Sequence, residues 1–166
     1  MSYNNRFLAT DDLITHLTSI VTTITDTAIK ANYAGFLSVS AVTVYELAIK
    51  DIFIEFASNK NKVFGYFIDR YFSRINGKIT ICDLKDKYIK HFGQKYFDNF
   101  EAKLKKRETI IFNTTHKELR TSYSNLILCR HEYVHRGTPT LTFEEVLDNY
   151  NIGKNVVHSL YDAMKR

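Results

Sequence analysis

The sequence predicts an all-α fold, an up-and-down helical bundle with additional helices in a basic insertion. Its 166 residues include one proline and six glycines, so few positions force a helix to end. Hydrophobic residues make up 45% of the chain and recur at helical spacing along most of it, which is enough for one core. We therefore expect a short tail over residues 1–9 and a single helical domain over residues 10–166.

Three helices are predicted in the first half of the chain. Thr10 is placed to cap the first helix, whose apolar residues recur at helical spacing up to Gly35. A second helix begins near Ser40. A shorter third helix covers residues 63–75 and ends at Asn76-Gly77.

Helices also dominate the prediction for the second half. Residues 83–92 and 95–107 both have helical patterns, whereas the β-branched run Thr109-Ile110-Ile111 leaves a strand or an extended loop open. The penultimate helix is stopped at Gly137-Thr138-Pro139, and Thr142 caps the last helix.

The net charge of +5 is concentrated in residues 78–107, which hold nine cations and four anions. Aromatic residues are interleaved with these cations, so a polyanion such as RNA would find both phosphate partners and stacking surfaces. An amphipathic helix whose aromatic residues face the core explains the same pattern, and the sequence does not decide between the two. The candidate RNA-binding residues are Lys103, Lys105, Lys106 and Arg107.

Several classes of protein are disfavoured by the composition. The two cysteines, Cys82 and Cys129, lie far apart, so we expect neither a disulfide framework nor a cysteine-rich zinc site. No apolar run approaches the roughly 18 residues of a membrane span, and the N-terminus does not open like a signal peptide. We therefore expect no membrane partner and a cytoplasmic location.

The residues best suited to chemistry lie together in the segment Arg130-His131-Glu132-Tyr133-Val134-His135. Residues 131–135 match H-E-x-x-H, in which two histidines one helical turn apart bind zinc and the glutamate is a general base. The usual extension to a third histidine is absent, and a fixed cation at Arg130 would weaken metal binding. The possible third ligands are Glu144, Glu145 and His158. A zinc-dependent hydrolase is therefore the third-ranked hypothesis, and we expect no metal cofactor.

The same segment spells R-x4-H, and the position of Arg130 favours this interpretation. Arg130 continues the apolar stripe of its helix, where an arginine is costly to bury unless an acid or a cleft receives it. Glu46, beside the core stripe of the second helix, is the candidate partner, and Glu132 and Asp51 are weaker ones. Arg130 and His135 are about 140° apart on a regular helix. They converge only if the last turn loosens or a second copy of the chain completes the site.

The segment resembles the R-x4–6-H signature of the HEPN superfamily. In that signature a polar residue follows the arginine and an apolar residue precedes the histidine, and here these are His131 and Val134. The motif also stands at the end of the penultimate helix of a long bundle. The stretch 44–51 is similar to the second helix of the RiboL-PSP and MAE branches, so that the resemblance covers residues 10–165.

The resemblance implies a homodimeric, metal-independent endoribonuclease, often a toxin or antiphage-defence effector with an antitoxin or defence-system partner. His135 would be the base for a ribose 2′-OH or the acid for the leaving 5′-oxygen, and Arg130 would stabilise the phosphorane. His131 would orient the phosphate or share the proton transfers, with Glu46 and Glu132 in support. The alternative is a non-catalytic HEPN module that binds RNA, a nucleotide or a protein partner.

Overall fold

The structure is a computed structural model that describes residues 3–73 and 77–165. Within these ranges it contains six α-helices, two short helical segments of other types and no β-strand. The α-helices are α1 (Tyr3–Val21), α2 (Thr27–Lys60), α3 (Lys62–Phe72), α4 (Gln94–Thr115), α5 (Leu119–Arg136) and α6 (Phe143–Met164); a π-helix (Asp83–Tyr88) and a 3₁₀-helix (Ile89–Phe92) precede α4. None of the helices in the described ranges has the length and apolar character needed to cross a membrane. The predicted all-α bundle with extra helices in the basic insertion is confirmed.

The first helix begins earlier than the sequence predicted. Tyr3 and Phe7 lie on its first two turns and are buried in the core, which holds this part of the chain in helical form. Thr10 is not a cap, because its hydroxyl donates a hydrogen bond to the carbonyl oxygen of Arg6 inside α1. The helix start expected at Thr10 is therefore wrong, whereas the single domain over residues 10–166 stays a prediction.

The break between the first two helices lies at residues 22–26, and the boundaries expected at Gly35 and Ser40 are wrong. The carboxylate of Asp26 accepts hydrogen bonds from two backbone N–H groups in the first turn of α2, at 2.7 and 3.2 Å. Gly35 lies inside α2, and the ring of Tyr133 packs against it. A Cβ on Gly35 would lie 2.2 Å from Tyr133 Cδ2, so this glycine permits a close helix contact and does not end a helix.

The segment between α3 and α5 is helical where the sequence left alternatives open. The run Thr109-Ile110-Ile111 continues α4, with Ile111 buried against the core, and is neither a strand nor an extended loop. The third helix ends at Phe72. Its expected end at Asn76-Gly77 falls partly on Asn76, outside the described residues.

Three buried tyrosines join the helices that carry the candidate site. The Tyr45 ring of α2 stacks on Tyr123 of α5 and on Tyr150 of α6, with centroids 5.4 and 5.7 Å apart. The Tyr45 hydroxyl donates to the carbonyl oxygen of Tyr150 at 2.5 Å, and the Tyr123 hydroxyl donates to that of Ile79 at 2.7 Å. Burial raises the pKa of Tyr123 well above its usual value, so the hydroxyl keeps its proton. The chain next to Gly77 is thereby held against α5.

Candidate functional site

The R-x4-H segment forms the last two turns of α5. The helix stays regular up to Arg136, and Gly137 ends it with φ of +71° while its N–H donates to the carbonyl oxygen of Tyr133 at 2.9 Å. The loosened last turn that would have brought Arg130 towards His135 does not occur. The two side chains therefore leave α5 about 140° apart, on different faces.

His131 and His135 form an exposed pair on one face of α5. Their ring centroids are 4.5 Å apart and their planes are inclined by 52°. Val134 beside them is 49% exposed and does not belong to the buried stripe of this helix. Two adjacent imidazoles open to solvent can receive and deliver protons at one substrate group.

Arg130 points to the other side of α5, towards the chain at Gly77. It is half-buried, and a Cβ on Gly77 would lie 3.5 Å from its Nη1. Its guanidinium makes no hydrogen bond or ion pair with any residue that the structure describes. Its N–H groups are therefore available to an external anion. Binding such an anion would offset the cost of half-burying an unpaired guanidinium.

The sequence predicts that Glu46 pairs with Arg130, but this pair does not form in the structure. Its carboxylate binds the Nζ of Lys50, four residues along α2, at 2.7 Å and accepts the backbone N–H of Gly77 at 2.9 Å. The nearby lysine satisfies the charge of Glu46, and the second oxygen holds the backbone that lies beside Arg130. Glu46 therefore holds the backbone of Gly77 and does not neutralise the arginine.

The other two acids considered as partners of Arg130 are also engaged elsewhere. Glu132 forms an ion pair with Arg136 at 2.8 Å, one turn along the same helix. Asp51 pairs with Arg6 of α1, also at 2.8 Å. No carboxylate within residues 3–73 and 77–165 thus neutralises Arg130.

A comparison with protein families identifies the family of this chain. The family model described as RiboL-PSP-HEPN matches residues 4–166, a range that includes α5 and its R-x4-H segment. The chain belongs to the RiboL-PSP-HEPN family. The comparison with curated proteins and the comparison with solved structures each gave no significant match. The predicted membership of the HEPN superfamily is confirmed.

The four cations expected to bind RNA differ in their surroundings within this HEPN domain. Arg107 pairs with Asp162 of α6 at 2.7 Å, so its guanidinium is committed to the packing of α4 on α6. Lys105 and Lys106 are exposed, Lys103 is half-buried, and none of the three forms an ion pair with a described residue. RNA contact by these lysines stays a prediction.

The aromatic residues interleaved with the basic segment of this HEPN domain mostly pack inwards. Tyr88 and Phe100 are buried, and Phe92 packs against the core. Phe97 also packs there, and the ammonium groups of two lysines lie 5.4 and 5.1 Å from its ring centroid. These four aromatic residues therefore match an amphipathic segment whose aromatic side chains face the core, and not a set of stacking surfaces for RNA.

A third zinc ligand does not join the two histidines. Among the described residues, no group of three or more His, Cys, Asp and Glu side chains is arranged to hold a metal ion. Glu145 forms the capping box of α6 with Thr142, and His158 is hydrogen-bonded through Nδ1 to the Tyr3 hydroxyl at 3.2 Å. Glu144 is exposed in the first turn of α6. The donor set for a zinc-dependent hydrolase is therefore not assembled in this part of the chain.

The HEPN domain also has a groove that sequence reasoning did not select. This α3 groove lies between α3 and the chain around the π-helix and encloses about 780 Å³; it is lined by Phe67, Arg70, Tyr71, Lys78, Asp86, Lys87, Tyr88 and His91. Five of the eleven residues of α3 are aromatic, more than one helix face can bury. That excess is the signal in the sequence from which an exposed aromatic surface could have been predicted.

Proposed function

We propose that this HEPN protein is a metal-independent endoribonuclease that cleaves RNA at a cleft shared by two copies of the chain. One observation carries the proposal: the half-buried guanidinium of Arg130 has no acid partner among the described residues and lies on the same two helical turns as an exposed imidazole pair. A guanidinium binds phosphate through charge-assisted hydrogen bonds, and imidazoles transfer protons near neutral pH. Membership of a family that often cleaves RNA supports the proposal.

The proposed reaction is an internal transesterification of RNA. His135 takes the proton of a ribose 2′-OH, whose oxygen attacks the adjacent phosphorus and forms the new P–O bond. The bond from phosphorus to the 5′-oxygen breaks, and His131 or its counterpart in the second copy gives that oxygen a proton. Arg130 donates hydrogen bonds to the charge that develops on the phosphorane. The products are a 2′,3′-cyclic phosphate and a free 5′-hydroxyl.

A second copy of the chain would bring an arginine and a histidine to the same phosphate. Within one protomer Arg130 and His135 leave α5 in different directions, so one copy alone does not present both to the same phosphate. The half-exposed apolar side chains of Leu128 and Val134 lie near the histidines on α5. Phe36, which is also half-exposed, directly follows Gly35, the residue of α2 that contacts α5. Covering such a face between two copies removes apolar surface from water.

We also propose the biological setting that the family suggests. A ribonuclease of this kind works in the cytoplasm as a toxin or as an antiphage-defence effector, and an antitoxin or another defence component restrains it. The positive charge of residues 78–107 supports a polyanionic substrate. Slowed growth on induction that requires both Arg130 and His135, and is relieved by a partner co-expressed from the neighbouring gene, would support this setting.

A non-catalytic HEPN module is the second candidate. The separation of Arg130 from His135 in one protomer favours it, because binding a phosphate needs the guanidinium but not the imidazole. In this case Arg130→Ala would abolish binding of RNA or a nucleotide, and His135→Ala would leave the affinity unchanged. The two candidates therefore differ in cleavage: the ribonuclease requires His135 for it, whereas the binding module cleaves no RNA with or without His135.

Cleavage of single-stranded RNA by the purified protein, with and without EDTA, separates these candidates. We expect chelator-resistant cleavage that Arg130→Ala and His135→Ala each reduce by about 10²–10⁴. The matched controls are Arg136→Ala, an exposed arginine on the same helix, and His16→Ala, an exposed histidine on α1; both should cleave like the wild type. Activity lost with EDTA would indicate a metal enzyme. No cleavage by a folded dimer would indicate the binding module.

Mixing two inactive variants tests the shared cleft directly. If each site takes its arginine from one copy and its histidine from the other, mixing Arg130→Ala with His135→Ala restores one intact site per heterodimer. Random pairing then recovers about a quarter of the wild-type activity. If both groups come from the same copy, the mixture stays as inactive as its components.

A further inference from the structure

The α3 groove exposes two aromatic rings that no other part of the described chain covers. Phe67 and Tyr71, one turn apart on α3, are 65% and 47% exposed, with ring planes inclined by 15° and centroids 6.5 Å apart. Beneath them, the rings of Phe72 and Tyr88 lie in the core. The exposed pair thus stands on a rigid base, as a surface that receives flat ligands requires.

The charges around the two rings favour an anionic ligand. Arg70 and Lys78 line the groove and form no ion pair with a described residue. The one carboxylate among the lining residues, Asp86, is held by Lys90 at 2.5 Å. Unpaired cations beside open aromatic faces suit a nucleic-acid strand, because each nucleotide brings a phosphate and a base that stacks. An apolar protein segment would leave these cations without partners.

The groove and the Arg130 side of the candidate site are joined by neighbouring residues of the chain. Lys78, which lines the groove, directly follows Gly77, whose backbone lies beside the Arg130 guanidinium. The carbonyl oxygen of Lys78 accepts a hydrogen bond from the Tyr88 hydroxyl at 2.9 Å, which fixes the chain between the two places. A strand with one phosphate at Arg130 therefore meets Lys78 next and then the two rings.

We infer that the α3 groove binds single-stranded RNA adjacent to the phosphate at Arg130. Bases stack on Phe67 and Tyr71, and backbone phosphates contact Arg70 and Lys78. The inference rests on the proposed function for the identity of the strand, and it adds the form of the substrate. In a duplex the faces of the bases are covered by their neighbours, so the groove selects an unpaired segment.

Binding to the full-length His135→Ala protein tests the groove without cleavage of the probe. Fluorescence anisotropy compares a labelled single-stranded RNA with the same sequence in a perfect duplex. We expect Phe67→Ala and Tyr71→Ala each to weaken binding of the single strand about 10-fold, the scale of one lost stacking contact. Tyr66→Ala removes a 67% exposed ring of α3 that does not line the groove, and should leave the affinity unchanged.

Two further variants keep the test decisive if an alanine variant is unstable. Tyr71→Trp keeps a stacking face and should retain the parent affinity. Arg70→Glu reverses an exposed charge and should weaken binding. Lys78→Ala removes one phosphate contact and should reduce the slope of log K against log[salt] by about one. Lys62→Ala removes an exposed cation of α3 outside the groove and is the charge control.

Three results would overturn the inference: no binding of RNA, equal binding of duplex and single strand, or groove variants with the affinity of the parent. A loss with Tyr66→Ala as large as with Tyr71→Ala would also overturn the inference, because Tyr66 does not line the groove. Cleavage by the wild type is measured separately. Groove-dependent binding without cleavage rejects the ribonuclease alone, and cleavage with indifferent groove variants rejects the inference alone.

Discussion

The ring of Tyr133 lies directly against the backbone of Gly35. A Cβ on residue 35 would be 2.2 Å from Tyr133 Cδ2 and 2.3 Å from Cε2, distances at which atoms cannot coexist. The contact joins α2 to the last two turns of α5, the turns that carry Arg130 and the histidine pair. The glycine therefore determines how closely the end of α5 approaches the core.

Gly35→Ala should destabilise the protein although alanine is the better helix former. The methyl group has to displace the Tyr133 ring, and such overpacking costs about 1–3 kcal/mol. That cost exceeds the roughly 1 kcal/mol that a helix gains when alanine replaces glycine. Urea unfolding followed by circular dichroism measures the difference.

The Tyr133→Ala background is the control for Gly35→Ala. Once the ring is removed, the methyl group meets no obstacle, and the helix propensity of alanine should make Gly35→Ala neutral or stabilising by up to about 1 kcal/mol. The sign of the effect thus reverses between the two backgrounds. An equal destabilisation in both would show that the ring contact is not the cause.

Tyr123→Phe should cost about 1–3 kcal/mol, because it leaves the buried carbonyl oxygen of Ile79 without its donor. Tyr161→Phe is the matched control, since the Tyr161 hydroxyl makes no hydrogen bond to a described residue. Urea midpoints of the two variants are compared with that of the wild type. Equal stability of both variants would mean that the bond to Ile79 contributes nothing net.

The helices were largely predictable, because periodicity and caps are local properties of the chain. The start at Thr142 and the stop at Gly137 both lie where the sequence placed them. The errors at Thr10 and Gly35 have a tertiary cause. Burial of Tyr3 and Phe7 in the core extends α1 to residues before Thr10, and Gly35 faces a ring from another helix, and neither contact is visible in the local sequence.

The candidate site was predictable only in part, for a similar reason. Arg130 and His135 are visible as a motif because six consecutive residues of one helix contain both. The role of Glu46 was not visible, because Lys50 competes for its charge and no periodicity encodes the contact between Glu46 and the backbone of Gly77. The exposure of Phe67 likewise depends on which neighbours leave it uncovered.

Variants of Glu46 test directly whether this residue acts through the backbone of Gly77 or through the charge of Arg130. If it acts by holding the N–H of Gly77, Glu46→Gln keeps the acceptor and should cleave RNA nearly as well as the wild type. Glu46→Ala removes the acceptor and should lower kcat/KM by on the order of 10- to 100-fold, because the backbone beside Arg130 is no longer held. Initial rates on single-stranded RNA measure both variants.

The same pair of variants also tests the interpretation that the sequence favoured. A charge partner of Arg130 would be lost equally in Glu46→Gln and Glu46→Ala, so equal defects would contradict positioning through Gly77. Lys50→Met is the control for the ion pair, since it removes the cation and leaves the bond to Gly77. We expect Lys50→Met to retain cleavage.

His158 should make the stability of the protein depend on pH below neutrality. Burial lowers the pKa of His158 from its usual 6.5, and the charges of Arg107 and Lys154 act in the same direction. The unfolded chain therefore binds this proton at higher pH than the folded chain does. The stabilisation is complete above about pH 6.5 and is lost as the pH falls towards the folded pKa, with a slope of at most about 1.4 kcal/mol per pH unit.

Urea unfolding of the wild type and of His158→Gln between pH 7.5 and 5.5 isolates this proton. The substitution also removes ring contacts with Tyr3 and Phe7, so absolute stabilities differ, but that loss is the same at each pH. The wild type should therefore lose more stability than the variant on acidification. Asp83 does not interfere with this comparison. Burial raises its pKa, but the hydrogen bonds from Lys87 and Thr80 outweigh burial and lower the pKa overall. Asp83 therefore titrates below this pH range. Parallel curves would mean that the imidazole takes up its proton as readily in the folded protein as in the unfolded chain.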